Sequence, residues 1–69
     1  MTEHELRTAK VVKNLPNQLF ELELGGGKRV KAHLADEMKL KFTRLLPGEE
    51  VKVEISPYDP GRGRIISRL

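Results

Sequence analysis

Between Leu19 and Leu34 the sequence reads LFELELGGGKRVKAHL: Phe20, Leu22 and Leu24 alternate with Glu21 and Glu23, three glycines follow, and Val30, Ala32 and Leu34 then alternate with Lys31 and His33. A period of two belongs to half-buried strands, whose successive side chains point to opposite faces. Gly25, Gly26 and Gly27 accept positive φ at little steric cost, so the stretch predicts a hairpin with a bulge at its connection. The polar face is acidic on one strand and basic on the next, which sets Glu21 and Glu23 across from Lys28, Lys31 or their neighbours as structural pairs. The apolar face must be covered. In a chain of 69 residues without cysteine, no disulfide or thiolate-bound metal can staple the fold, and only about 60% of the unfolded surface is buried on folding. Further strands of the same chain have to close over that face.

They are present. Val51, Val53 and Ile55 alternate with Lys52 and Glu54 between Pro47-Gly48 and Pro57, a third clear strand. Upstream, LRTAKVVKNLPN is β-rich but shifts phase: Ala9 and Val11 share a face, Val12 takes the other, and Leu6 fits neither register without a bulge. The segment reads as one long bent strand ended by a Pro16-Asn17 turn. Ile65 and Ile66, apolar on both faces, mark a closing strand over 64–68. Only ADEMKLKFTRLL breaks the pattern: Asp36 can cap, and Met38 and Phe42 at i,i+4 form an apolar stripe, so a short helix of about two turns is expected. Strand, strand, strand, short helix, strand, strand is the succession of an all-β, five-stranded OB-fold barrel with its helix between strands 3 and 4. Closure also removes exposed sheet edges. An SH3-like barrel competes, but has no ordinary use for a helix there. Residues 1–69 are read as a single domain, with residues 1–5 as a flexible tail.

Thirteen Lys and Arg against ten Asp and Glu leave a net charge of +3, unevenly spread. Residues 1–27 carry net −1, and residues 28–69 carry net +4. A basic majority on so small a surface suits a polyanionic partner. The first ten residues hold no apolar run, and no stretch of 18 apolar residues occurs, so a soluble, cytoplasmic protein without membrane attachment is expected. Catalysis finds little support. Ser56 and Ser67 have no evident base nearby, His4 and His33 are separated, and the three glycines lack the following Lys-Ser/Thr of a P-loop. Neither an enzyme nor a cofactor or metal is expected.

Two segments concentrate the cations. In PYDPGRGRIISRL, Asp59-Pro60-Gly61-Arg62 fits a turn with proline second and glycine third, within a loop expected over 57–63. Arg62, Arg64 and Arg68 supply fork-shaped donors, and Gly61 and Gly63 would let a phosphate backbone come close, although solvated arginines on a plain hairpin are the simpler alternative. In the helix segment, Lys39, Lys41 and Arg44 surround Leu40, which lies opposite Met38 on the wheel and is an apolar wedge in a basic collar; a plain solvated face is the alternative. Phe20 and Phe42 are assigned to the core. Tyr58, in the loop, is open to a stacking role. So few aromatics equip a sequence-tolerant single-strand binder poorly, and recognition of a folded RNA by shape and phosphate contacts fits better.

The stretches LPNQLFELEL, KAHLADEMK and RLLPGEEVKVEISPYDPGRGRI closely resemble bacterial and organellar translation initiation factor one, over about residues 11–68. That resemblance implies one S1-like OB domain, a monomer without catalytic activity, that binds the decoding A site of the small ribosomal subunit. It implies contacts with the upper decoding helix and 530 loop of the 16S-type rRNA and with ribosomal protein uS12, exclusion of initiator tRNA from that site, and cooperation with initiation factors two and three. His33, Lys39, Arg44, Arg62, Arg64 and Arg68 match the family's RNA-contacting positions, and Leu40 falls in its insertion segment. A general OB or cold-shock-like single-stranded RNA binder is the alternative. Asp36-Glu37 stands where the family usually has Gly-Lys, Phe42 replaces a tyrosine and Ser67 an aromatic residue.

Overall fold

A computed structural model describes residues 5–40 and 44–69. Five strands are formed: β1 (Glu5–Leu15), β2 (Leu19–Leu24), β3 (Arg29–Leu34), β4 (Glu50–Ile55) and β5 (Arg62–Arg68), with one helix, α1 (Asp36–Leu40), between β3 and β4. They close into a barrel in the order β1-β2-β3-β5-β4, with β4 returning to β1. All pairs are antiparallel except β3 with β5, which run parallel. The expected architecture is therefore the one observed.

The alternating residues face inward as their period requires. Phe20, Leu22, Leu24, Val30, Ala32, Leu34, Val51, Val53 and Ile55 are all buried, together with Ala9, Val11, Met38, Leu45 and Ile65. Burying the Val, Leu, Ile, Phe and Met side chains among these contributes roughly 1.5–3 kcal/mol each relative to exposure, which is the main term a small barrel has against chain entropy. Leu45, which no periodicity marks, enters the core from the connection between α1 and β4.

Two bulges bend the barrel. In β1 the register on β2 slips between Val11 and Lys13, leaving Val12 as the extra residue and carrying the phase change seen in the sequence. Leu6 needs no bulge of its own: it is exposed and pairs across from Glu54. In β5 Ile65 stands opposite Val53 and Ser67 opposite Lys52, so Ile66 is extra, which accounts for two adjacent isoleucines of which only Ile65 is fully buried.

Some boundaries differ from expectation. Glu5, assigned to the tail, opens β1 opposite Ile55, while residues 1–4 lie outside the described residues. The glycines form a 3-10 turn closed by Leu24 N–H donating to the Lys28 carbonyl at 2.7 Å, and the β2–β3 ladder runs without a bulge. With φ of 87° at Gly26 and 86° at Gly27, the reversal is completed inside the connection. Asp36 begins α1 and does not cap it. The cap position falls to Ala35, whose N–H donates to the Ile65 carbonyl at 2.8 Å and whose own carbonyl accepts from Met38 and Lys39 at 2.9 and 3.1 Å. Phe42 lies outside the described residues. β5 starts at Arg62, two residues early, because the turn is shorter than predicted: Arg62 N–H bonds the Asp59 carbonyl at 3.0 Å.

Candidate nucleic-acid interface

The parallel seam between β3 and β5 brings the two basic regions of the sequence together. His33 pairs with Arg64 and Lys31 with Arg62 in the ladder, and all four side chains project to the outer face because their neighbours Ala32, Leu34 and Ile65 point into the core. His33, Arg62 and Arg64 line a shallow hollow of about 360 Å³ with Glu54, Ser56 and Gly63. The loop beside it is braced locally: the Ser56 hydroxyl accepts from the N–H groups of Tyr58 and Asp59, at 3.1 and 3.2 Å, and Asp59 Oδ1 accepts from Gly61 N–H at 3.0 Å. Tyr58 stands 87% exposed on this loop.

Gly63 serves the barrel. A Cβ there would lie 2.8 Å from the Glu54 carbonyl oxygen and 3.0 Å from Val53 Cγ2, so only glycine lets β5 approach β4 this closely. At Gly61 a Cβ would meet only Asp59 Oδ1, at 3.4 Å.

A second cleft, of about 590 Å³, lies at the end of the barrel where β1 turns into β2. Its apolar floor is the buried Phe20, Leu34 and Leu45, and its polar lining is Asn14, Gln18, Lys39 and Arg44. An apolar floor with cations at the edge suits the faces and phosphates of nucleotides together. Sequence reasoning finds the two cations and turns Phe20 and Leu34 inward, but misses Leu45, which shows no periodicity with its neighbours.

The two cationic sets are adjacent. Arg64 also lines a hollow with Asp36 and Glu37 in the first turn of α1, and Lys39 sits three residues on, about 5 Å along the helix. Leu34, in the floor of the cleft, follows His33 directly in β3. Asp36 and Glu37, where the resembling family carries Gly-Lys, thus stand between the two sets. Leu40 is 80% exposed at the end of α1. Lys41 lies outside the described residues.

Charge pairing separates the cations. Arg64 Nη2 donates to Glu54 Oε1 at 2.6 Å, Arg68 Nη2 donates to Glu49 Oε1 at 2.6 Å, and Arg62 Nε lies 3.7 Å from Asp59 Oδ2. Glu21 is bound by Arg29, at 2.6 Å, as one of the neighbours expected to pair with it. Lys39, Arg44 and Lys31 have no carboxylate partner among the described residues. The Glu54–Arg64 pair is readable in principle: the two residues flank the Asp59 turn symmetrically and face each other in the hairpin.

Arg68 is set apart from the other expected contact residues. Its carboxylate partner Glu49 also accepts the Leu46 N–H at 2.5 Å, and this backbone bond, then Arg68, holds the Glu49 carboxyl below its usual value. The Leu46–Glu49 turn, with Gly48 at φ 95°, is docked on the β1 bulge region: Gly48 N–H donates to the Val11 carbonyl and Val11 N–H to the Glu49 carbonyl, both at 2.8 Å.

With this geometry in place, the whole chain, residues 1–69, matches the family described as translation initiation factor 1A / IF-1. The chain belongs to that family. Its barrel superimposes with a TM-score of 0.79 on the solution structure of translation initiation factor one from the Wolbachia endosymbiont strain TRS of Brugia malayi, at 29% identity over 96% of this chain and 78% of that one. The crystal structure of YjeQ from Thermotoga maritima shares the fold, with a TM-score of 0.72 at 23% identity, over 94% of this chain and 23% of that one. The fold is the OB barrel that the order of strands implied, and the family is the one its motifs resemble. Among the described residues, no helix is long and apolar enough to cross a membrane, and no cluster of three His, Asp or Glu is placed to hold a metal ion.

Proposed function

We propose that this member of the translation initiation factor 1A / IF-1 family docks, as a monomer, on the small ribosomal subunit at the decoding A site, through contacts to the 16S-type rRNA. The observation that carries the reading is the junction of β3, β5 and α1, which presents His33, Arg62 and Arg64 beside Lys39 and Arg44. A rigid sheet fixes the spacing of its cations, and fixed spacing selects an RNA whose phosphates are themselves fixed by folding. Leu40, 80% exposed, would enter the RNA surface at the end of α1. Tyr58 would lie against a base or sugar at the edge of the contact. Occupancy of the site excludes initiator tRNA by volume alone, so no bond need be made or broken. Contacts with ribosomal protein uS12 and cooperation with initiation factors two and three complete the proposal.

The general single-strand reading is less well supplied. Phe20 is buried in the floor of the cleft, which leaves Tyr58 as the one exposed aromatic ring among the described residues, whereas such binders stack successive bases on several rings. Chemical footprinting of small-subunit RNA with and without the protein tests the proposal. Protection confined to the decoding region is expected, and protection elsewhere, or none, overturns it.

A further inference from the structure

The arginines of β5 are paired with carboxylates in a way that bears on which RNA they accept. We infer that Glu54 is a specificity-determining residue, which aims Arg64 at a folded RNA while withholding its charge from unstructured polyanions. This rests on the reading of a folded ribosomal RNA as the partner.

Glu54 stands directly opposite Arg64 in the β4–β5 ladder, one strand from His33 on the other side. The Glu54 side chain is 21% exposed and that of Arg64 57%, so the carboxylate lies against the sheet while the guanidinium extends over it. At 2.6 Å the pair is a short charge-assisted bond that engages Nη2. A guanidinium has five N–H donors in a rigid fork, so holding one end fixes where the others point, here over the hollow shared with His33.

The pair affects two kinds of RNA differently. Binding a flexible strand is driven largely by release of counterions from its phosphates, about 0.7 per neutralised charge, and a cation already matched by a carboxylate contributes little to that release. A flexible strand can move its phosphates to any unmatched cation, so it gains fully when the carboxylate charge is removed. A folded RNA offers phosphates in set places and benefits from an aimed fork, so removing Glu54 adds charge but loosens the aim. Lys39 and Arg44, without carboxylate partners among the described residues, supply the general attraction. Glu54 restrains the remainder.

The test compares wild type, Glu54→Gln, Arg64→Gln and the double variant for binding to small ribosomal subunits and to poly(U) across a salt series, with thermal melts to establish folding. For Glu54→Gln, poly(U) affinity at about 0.1 M salt should rise about fivefold and its salt slope steepen by about 0.7. Affinity for the subunit should change less, so that discrimination falls. In the Arg64→Gln background the Glu54 substitution still removes a negative charge and raises both affinities, but it should leave discrimination unchanged, which ties the loss of discrimination to Arg64. Unchanged discrimination in folded Glu54→Gln, or an equal loss of discrimination without Arg64, overturns the inference alone. Wild type binding poly(U) as tightly as the subunit overturns the reading of a folded RNA partner and this inference with it. Should Glu54→Gln not fold, Glu54→Ser is read by the same criteria, and failure of both to fold assigns Glu54 a structural role and overturns the inference.

Discussion

Arg68 Nη2 and Glu49 Oε1 lie 2.6 Å apart, joining the end of the last strand to the turn that follows Arg44 and Leu45. Because the same carboxylate holds the Leu46 N–H, this contact steadies the segment that carries Arg44 to its cleft. The sequence assigns Arg68 to the RNA contact; its observed partner also makes it a brace for the segment that carries Arg44, much as Glu54 is a partner for Arg64.

The Glu49 carboxyl titrates below its usual 4.5 in the folded protein, chiefly through the Leu46 N–H and then through Arg68. A depressed carboxyl stabilises the fold at pH above the unfolded value, and that contribution is lost as pH falls through the folded one. Thermal melts from pH 7 to pH 3 should therefore show Glu49→Gln less stable than wild type at neutral pH, with the difference shrinking below about pH 4.5. A gap constant over that range would show that the charge on Glu49 is not what holds the turn.

Gly63→Ala should cost about 1–3 kcal/mol, because its Cβ would lie 2.8 Å from the Glu54 carbonyl oxygen, in backbone that cannot easily shift. Gly61→Ala, two residues away, should change stability by less than about 0.5 kcal/mol, since only the Asp59 side chain is near. Denaturant midpoints for the two variants decide the matter, and equal losses would refute the packing argument.

Strand periodicity, being local, is fully readable: Leu22, Val30 and Val53 face the core as their spacing requires. The site is readable as a set of residue types, and His33, Arg62 and Arg64 do meet. What the sequence conceals depends on register between distant segments. Gly63 looks like a space for phosphate because its crowding by Glu54 exists only once β4 and β5 are paired. Arg68 looks equivalent to Arg64 because nothing local separates a cation beside Glu49 from one beside His33. Leu45 lies in no periodic stretch, and it is buried beside a turn that is docked on Val11 by long-range backbone bonds.

Arg44→Ala and Arg64→Ala should each weaken binding to the small subunit by about 1–3 kcal/mol with little change in melting temperature, the order of a charge-assisted phosphate contact. The salt dependence should separate them. Loss of Arg44, unpaired among the described residues, should reduce the magnitude of the slope by about 0.7–0.9, and loss of Arg64, matched by Glu54, by less. Equal reductions would mean that the Glu54 pair breaks on binding.

Glu37→Lys should strengthen subunit binding several-fold, because it replaces a negative charge with a positive one in the hollow beside Arg64, between the two cationic sets. Affinity measured at two salt concentrations checks this. Weaker or unaltered binding would place the first turn of α1 away from phosphate.

The parallel seam has a kinetic consequence. His33 and Arg64 are neighbours across strands yet 31 positions apart in the chain, and every other strand pair of the barrel is antiparallel. Contacts of such sequence separation are slow to form, because the entropy of closing the intervening chain is lost before any contact rewards it. Zipping of β3 onto β5 is then the step at which a folding chain first sets His33 beside Arg64, so a half-made barrel would lack the surface proposed to meet RNA.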